Sequence, residues 1–241
     1  MDLKGWQQNW DELGKDDPLW LVISDPSKAG GKWDVAEFFE TGRSEIRQNL
    51  DEVARAGITL RFQRALDFGC GVGRLSQALA EKFDEVHGID ISPSMIGHAQ
   101  KFNRVGEKCR FYISADNGLS MFPDEHFDFV YSSITLQHIE PRFALNYIRA
   151  FARVLRPGGA IVFQALSPVF WRSLVPQPAV SLWRKFKHGD KPYIGMFGIP
   201  RKKIEDTLTS AGAKVVAVLS RSSDTSRFHS FQYIATKPAK S

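Results

Sequence analysis

Cysteine is scarce in this chain. Two occur in 241 residues, Cys70 and Cys109, far apart and with no C-x-x-C. Neither a disulfide framework nor a zinc site is therefore expected. His87, His98, His126, His188 and His229 show no metal-ligand spacing either, so no metal is expected. No run approaches the roughly 18 apolar residues of a membrane span, and the opening Met1-Asp2-Leu3-Lys4-Gly5-Trp6 has no apolar signal core. A cytoplasmic protein without a transmembrane segment is the simplest expectation. Internal repeats and low-complexity tracts are missing too. Charge of one sign is not in large excess: 32 Lys and Arg face 27 Asp and Glu, a net charge of +5. That balance permits an acidic partner but is equally a solvated basic surface. The length suits one α/β domain with an extension.

What is present concentrates between residues 65 and 75. Ala65-Leu66-Asp67-Phe68 is a short apolar run that enters Gly69-Cys70-Gly71-Val72-Gly73, and Arg74-Leu75 opens a helical pattern. Glycines at this spacing let a strand turn sharply into a helix and leave backbone N–H groups open to a closely approaching ligand. The spacing is G-x-G-x-G, not the G-x-G-x-x-G of dinucleotide binders. Arg74 stands where the third glycine of that pattern belongs, and its side chain would crowd a pyrophosphate at the helix N-terminus. A nucleoside ligand without a phosphate fits the loop better.

The segments that follow read as alternating strands and helices. Val86-His87-Gly88-Ile89-Asp90 is a second strand ending in a carboxylate, and Ser92-Pro93 supplies an N-cap and a first helical residue for the next helix. Arg110–Ser114 and Phe127–Ser133 are a third and fourth strand. Helices are expected over 74–83, 94–105 and 141–155, with Leu155-Arg156-Pro157-Gly158-Gly159 as a turn into a fifth, nearly all apolar strand, Ala160–Leu166. A helix from Ile199-Pro200 to Ala211-Gly212 and strands at 213–220 and 228–236 complete a doubly wound α/β sheet.

These motifs, in this order over residues 63–237, resemble the class I S-adenosylmethionine-dependent methyltransferases. The resemblance implies a Rossmann-like seven-stranded sheet of order 3-2-1-4-5-7-6 with strand 7 antiparallel. The implied cofactor is S-adenosylmethionine, with S-adenosylhomocysteine as product. Gly69, Gly71 and Gly73 would pass the backbone close to the methionine part. Asp67 would meet its ammonium, or only bond the turn. Asp90 would accept from the ribose hydroxyls, the competing reading being a cap on the following helix. Ile91 and Met95 would pack on adenine, or serve as plain core. Asp116 would take the adenine amino group with help from the Asn117 backbone, against which stands a simple Asp-Asn-Gly turn. Ser132, at the end of the fourth strand, belongs to the same cofactor set. Arg43 would clamp the methionine carboxylate by a bidentate contact, or lie in solvent.

The acceptor side is less determined. Residues 1–62 are expected to form an N-terminal helical cap, with helices broken near Thr41-Gly42, and 167–198 an insertion forming a lid after the fifth strand. Gln137, Trp171, Tyr193, Met196 and Phe197 are candidate pocket residues, with a packed satellite core as the alternative. His138 is a candidate general base, since imidazole titrates near neutrality, or a structural residue. The fourth strand does not run into Asn-Pro-Pro-Tyr or Asp-Pro-Pro-Tyr, which argues against nucleic acid or glutamine as acceptor. A small molecule methylated on a hydroxyl oxygen is the leading expectation. An RNA or protein methyltransferase, a non-catalytic cofactor-binding module and a peripheral membrane enzyme are the others. A monomer or homodimer is expected.

Overall fold

The computed structural model describes residues 2–169, 194–221 and 228–239. The apolar runs become neighbouring strands: β1 (Arg64–Phe68), β2 (Glu85–Asp90), β3 (Cys109–Ile113), β4 (Phe127–Ser132) and β5 (Leu155–Pro168). β6 (Lys214–Arg221) and β7 (Phe228–Thr236) complete one seven-stranded sheet in the order β3-β2-β1-β4-β5-β7-β6. β1 to β5 are parallel, and β7 is antiparallel to both β5 and β6, as the resemblance implied. Every residue of β4 is buried, because a central parallel strand is covered on both faces and needs no polar side.

Helices cover the two faces. On one, α6 (Pro141–Val154) and α7 (Arg201–Ser210) deliver Tyr147, Ile148, Phe151, Ile204 and Leu208 to the core. On the other, α3 (Val35–Arg55) and α4 (Arg74–Ala80) deliver Ile46, Val53, Leu75 and Leu79. α5 (Pro93–Phe102) begins as expected: Ser92 Oγ accepts from Met95 N at 3.2 Å, with Pro93 at the first helical position. Within residues 1–62, α3 is thus part of the sheet's own core. α1 (Leu3–Leu13) and α2 (Pro18–Val22) lie further out, over the ends of the strands.

Three boundaries differ from expectation. α3 does not break at Thr41-Gly42; it runs unbroken for 21 residues. Gly42 is there for packing: a Cβ on it would stand 2.7 Å from the Arg74 carbonyl oxygen, so α3 and α4 touch backbone to backbone. Leu155–Gly159 is not a turn outside the sheet. β5 already pairs there, Leu155 with Phe127, and the register then jumps so that Phe129 faces Ala160; Gly158, at φ +80°, takes up the bulge. Finally, β5 continues through Pro168, paired with Phe228, so the sheet extends into the region expected to be insertion. Most of that insertion, including Trp171 and Tyr193, lies outside the described residues.

Candidate functional site

β1 lies between β2 and β4, where the chain's path reverses direction across the sheet, and a crevice opens there beyond the strand ends. The turn from β1 to α4 forms its floor. Gly69, Gly71 and Gly73 all have positive φ (+76°, +53° and +82°), a region that side chains make costly. Their neighbours give them different jobs. A Cβ on Gly69 would overlap the Thr135 side chain. One on Gly73 would stand 2.9 Å from Phe111, so this glycine lets α4 pack against β3. Gly71 and Gly69 line the crevice, and a Cβ on Gly71 would press between Val22 and Met95.

Asp90 closes the floor. One carboxylate oxygen accepts from Gly71 N and the other from Ser92 N, each at 2.9 Å. Burial raises its pKa, and the backbone N–H groups oppose that rise. The crevice encloses about 150 Å³, with Ile91, Met95, Ser114, Ser133 and Ile134 in its walls. Its roof is the N-terminal segment: Leu3, Trp6, Trp10, Leu21 and Val22. Polar contacts fasten that roof to α5. Gln7 Nε2 donates to the Ile91 carbonyl (3.0 Å), and Asp11 Oδ1 accepts from Ser94 N (2.7 Å).

His138 forms part of the wall. Its ring meets Trp10 edge to face at 5.2 Å. Nδ1 lies 2.7 Å from the Gly195 carbonyl oxygen, which only accepts, so Nδ1 carries the proton and Nε2 the lone pair. Gln137 Nε2 sits 3.1 Å from that Nε2. Burial lowers the imidazole pKa, outweighing the Gly195 bond, so the ring is neutral near pH 7.

The other expected site residues divide. Ile91 and Met95 are on the wall. Asp67 is fully buried behind the floor, where Oδ2 accepts from Ser76 Oγ at 2.6 Å and Oδ1 has no partner; burial pushes its pKa up to about 7. Asp116 does not reach the crevice. Its carboxylate accepts from the backbone N–H of Gly118, Leu119 and Ser120 and from Ser120 Oγ, which is the turn-forming alternative. Asn117 follows it away from the wall, its Oδ1 buried and unpaired; Ser114 lines the crevice instead. Ser132 Oγ donates to the Phe68 carbonyl and ties β4 to β1, leaving Ser133 on the wall.

Arg43 is also not brought in: it pairs with Glu81 (2.6 Å) and Glu40 (2.9 Å) on the outside. Gly42 occupies the contact with α4, and one residue further the helix has turned by about 100°. Arg74 is the guanidinium on the crevice wall, 3% exposed and paired with Glu45 at 2.7 Å. Of the acceptor candidates, Phe197 is buried edge-on against Trp6 and its N–H donates to the Gln137 carbonyl. Phe197 thus braces the roof, and Gln137, Met196 and Phe197 are not on the crevice wall.

Comparison with known proteins bears on what this crevice holds. A methyltransferase domain model matches residues 65–159. Phosphoethanolamine N-methyltransferase 3 of Arabidopsis thaliana is 40% identical over 102 residues, 42% of this chain and 20% of that protein. The chain thus spans about a fifth of the length of that relative. The O-methyltransferase rstn1 of Aspergillus nomiae is 31% identical over 156 residues, 62% of this chain and 66% of that one. Among solved structures, the magnesium protoporphyrin IX methyltransferase of Synechocystis, determined with bound S-adenosylhomocysteine, superposes with a TM-score of 0.65. Its identity is 18% over 98% of this chain and 100% of its own, so it speaks for the fold. Residues 65–159 are a methyltransferase domain, in the fold of the class I S-adenosylmethionine-dependent methyltransferases.

The residues fit this family's cofactor. Gly71 leaves open a space that a Cβ would fill, beside the apolar surfaces of Val22 and Met95. Each oxygen of Asp90 uses one lone pair on a backbone N–H and keeps capacity for a hydroxyl. No helix of the described residues is long and apolar enough to cross a membrane.

Proposed function

We propose that this methyltransferase acts on a small-molecule acceptor and methylates a hydroxyl oxygen, with His138 as general base. The observation that carries this reading is the state of His138: a neutral imidazole on the crevice wall, with Nδ1 held by the Gly195 carbonyl and the lone pair on Nε2. One relative, a phosphoethanolamine N-methyltransferase, supports a small molecule, and another, an O-methyltransferase, supports oxygen as the acceptor atom.

When bound, S-adenosylmethionine supplies a methyl group already activated by a positively charged sulfur. The chain's own tasks are then positioning, exclusion of water and removal of a proton. Gly69, Gly71 and Asp90 would hold the cofactor on the floor, and Ile91 and Met95 would flank its base. Trp6, Trp10 and Val22 roof the crevice and keep water out. His138 Nε2 would exchange its contact with Gln137 for the acceptor hydroxyl and take its proton as the oxygen is alkylated. A base matters here because an alcohol attacks poorly while protonated.

The test is His138→Gln, assayed with an acceptor that the wild type turns over. A fall in kcat of about 10² to 10⁴ with S-adenosylhomocysteine affinity unchanged supports the base. A kcat within threefold of wild type refutes it.

A further inference from the structure

The roof of the crevice is one continuous stretch of chain, the residues that precede α3. From it Leu3, Trp6, Trp10, Leu21 and Val22 line the crevice. With this roof in place the crevice encloses about 150 Å³, below the roughly 300–1,000 Å³ of sites that take small molecules. Roof and floor come closest over the glycine turn. A Cβ on Gly71 would stand 3.0 Å from Val22 Cγ2, so there is barely room for a methyl group between them. A cofactor lying along that turn needs Val22 to rise.

Polar groups of α1 clasp the roof to the start of α5. Asp11 Oδ1 accepts from Ser94 N at 2.7 Å, so one helix caps another, and the Asp11 carbonyl accepts from Ser94 Oγ at 3.0 Å. Gln7 Nε2 donates to the Ile91 carbonyl. Gly14, which ends α1, packs so near that a Cβ on it would stand 2.7 Å from Ser94 Oγ. These bonds fall on both sides of Ser92, whose N–H donates to Asp90. The segment that carries the carboxylate of the floor therefore also anchors the roof. α5 does not need the roof in order to start, since Ser92 Oγ caps it at Met95 N.

The other end of the roof is built to turn. Between the 3-10 turn Pro26–Lys28 and α3 stand Gly30 and Gly31, at φ +77° and +73°. A Cβ on either would meet nothing within 4 Å, so these glycines serve backbone conformation, not packing. Both N–H groups donate to Asp17 Oδ2, at 2.9 and 2.8 Å, while Asp17 Oδ1 accepts from Trp20 N in α2. One carboxylate from the roof thus sets the angle of the pair. Beyond them α3 starts with its own cap, Asp34 on Glu37 N. Lids swing on a few positions of this kind, which absorb a change of φ and ψ. The apolar contact beneath α2 is a small cluster, Leu19 with Phe38, Val72 and Met95, apart from the two cores that flank the sheet. Segments held by so little apolar contact open at low cost.

We propose that residues 2–29 are a lid on the cofactor crevice, that the lid swings on Gly30-Gly31, and that Asp11 is its latch. Entry and release of the cofactor pass through an open state in which the Asp11–Ser94 bonds are broken. The proposal concerns the cofactor site and is independent of the acceptor and of His138.

The experiment mixes S-adenosylhomocysteine rapidly with the full chain, as wild type, Asp11→Ala and Gly31→Ala. The observed rate is followed by the fluorescence of the tryptophans, two of which lie in the roof, over rising ligand concentration. Amide exchange of α1 is measured in the same proteins with and without the ligand. In wild type the observed rate levels off at the rate of lid opening, and the α1 amides exchange more slowly once ligand is bound. Asp11→Ala is expected to raise that plateau and the dissociation rate together by about fivefold, the worth of one capping bond, with Kd within twofold of wild type. Gly31→Ala strains the closed hinge and moves both rates in the same direction. Neither residue is buried, and the two sit at opposite ends of the lid, so either variant decides if the other does not fold. An observed rate that climbs linearly with ligand at one slope in all three proteins overturns the lid. A Kd that rises while the plateau stays in place makes Asp11 a support of the site and overturns the latch. Absence of binding by the wild type overturns the cofactor site itself and the lid with it.

Discussion

Asp67 gives this protein an unusual dependence of stability on pH. The carboxyl is fully buried, receives a single hydrogen bond, from Ser76, and leaves Oδ1 unpaired. Burial dominates its titration. Ser76 and the Arg74 charge pull the pKa down, Glu45 and Asp90 push it up, and it ends raised from 3.8 to about 7. Between those values the folded chain holds the proton and the unfolded chain has released it. The unfolded state therefore gains as pH rises, and the stability present below pH 4 is fully lost above pH 7. Each pH unit in that window is worth about 1.4 kcal/mol. From pH 5 to pH 8 the protein crosses some two units of it and should lose about 3 kcal/mol through this one group. Asp67→Asn keeps the shape and the acceptor for Ser76 and removes the proton. Urea unfolding of both proteins at pH 5, 6, 7 and 8 isolates the effect, because the buried histidines act equally in each. The stability of Asp67→Asn relative to wild type should climb by about 3 kcal/mol over that range. A difference that stays flat from pH 5 to pH 8 refutes the reasoning.

Three further substitutions follow from the geometry. Gly69→Ala places a Cβ at φ +76° and against Thr135, so stability should fall by about 1–2 kcal/mol or more and product affinity at least tenfold. Gly73→Ala, strained against Phe111 but off the crevice wall, should lose stability while retaining more of that affinity; melting curves and calorimetry on the pair distinguish the two. Trp10→Ala uncovers His138, whose pKa is held down by burial, and should move it back toward 6.5, measured by NMR titration of the ring. An unmoved pKa would show that Trp10 does not shield it.

The sheet was legible because its evidence is local and periodic. The apolar runs of β4 and β5, the glycine turn and the Ser92-Pro93 helix start each follow from a few adjacent residues. Ile91, Met95 and Asp90 reach the crevice because a strand end and a helix start fix where they point. Arg43 and Asp116 did not follow, for physical reasons that spacing does not carry. Gly42 turned out to be a packing residue inside a continuous helix, which sends Arg43 outward and leaves Arg74 on the wall. Asp116 found three backbone N–H groups in its own turn. The buried bond between Asn49 and Tyr131 was missed although a signal existed: Ile46, Asn49 and Val53 share one buried face of α3, and a polar residue on such a face needs a partner.

The central claim is that the glycine turn and Asp90 form the S-adenosylmethionine site. Calorimetric titration of S-adenosylhomocysteine into the wild type and Asp90→Ala tests it most directly. The account expects micromolar or tighter binding by the wild type, lost in Asp90→Ala while the fold persists. Equal affinity in the two proteins, or no binding by the wild type, would contradict it.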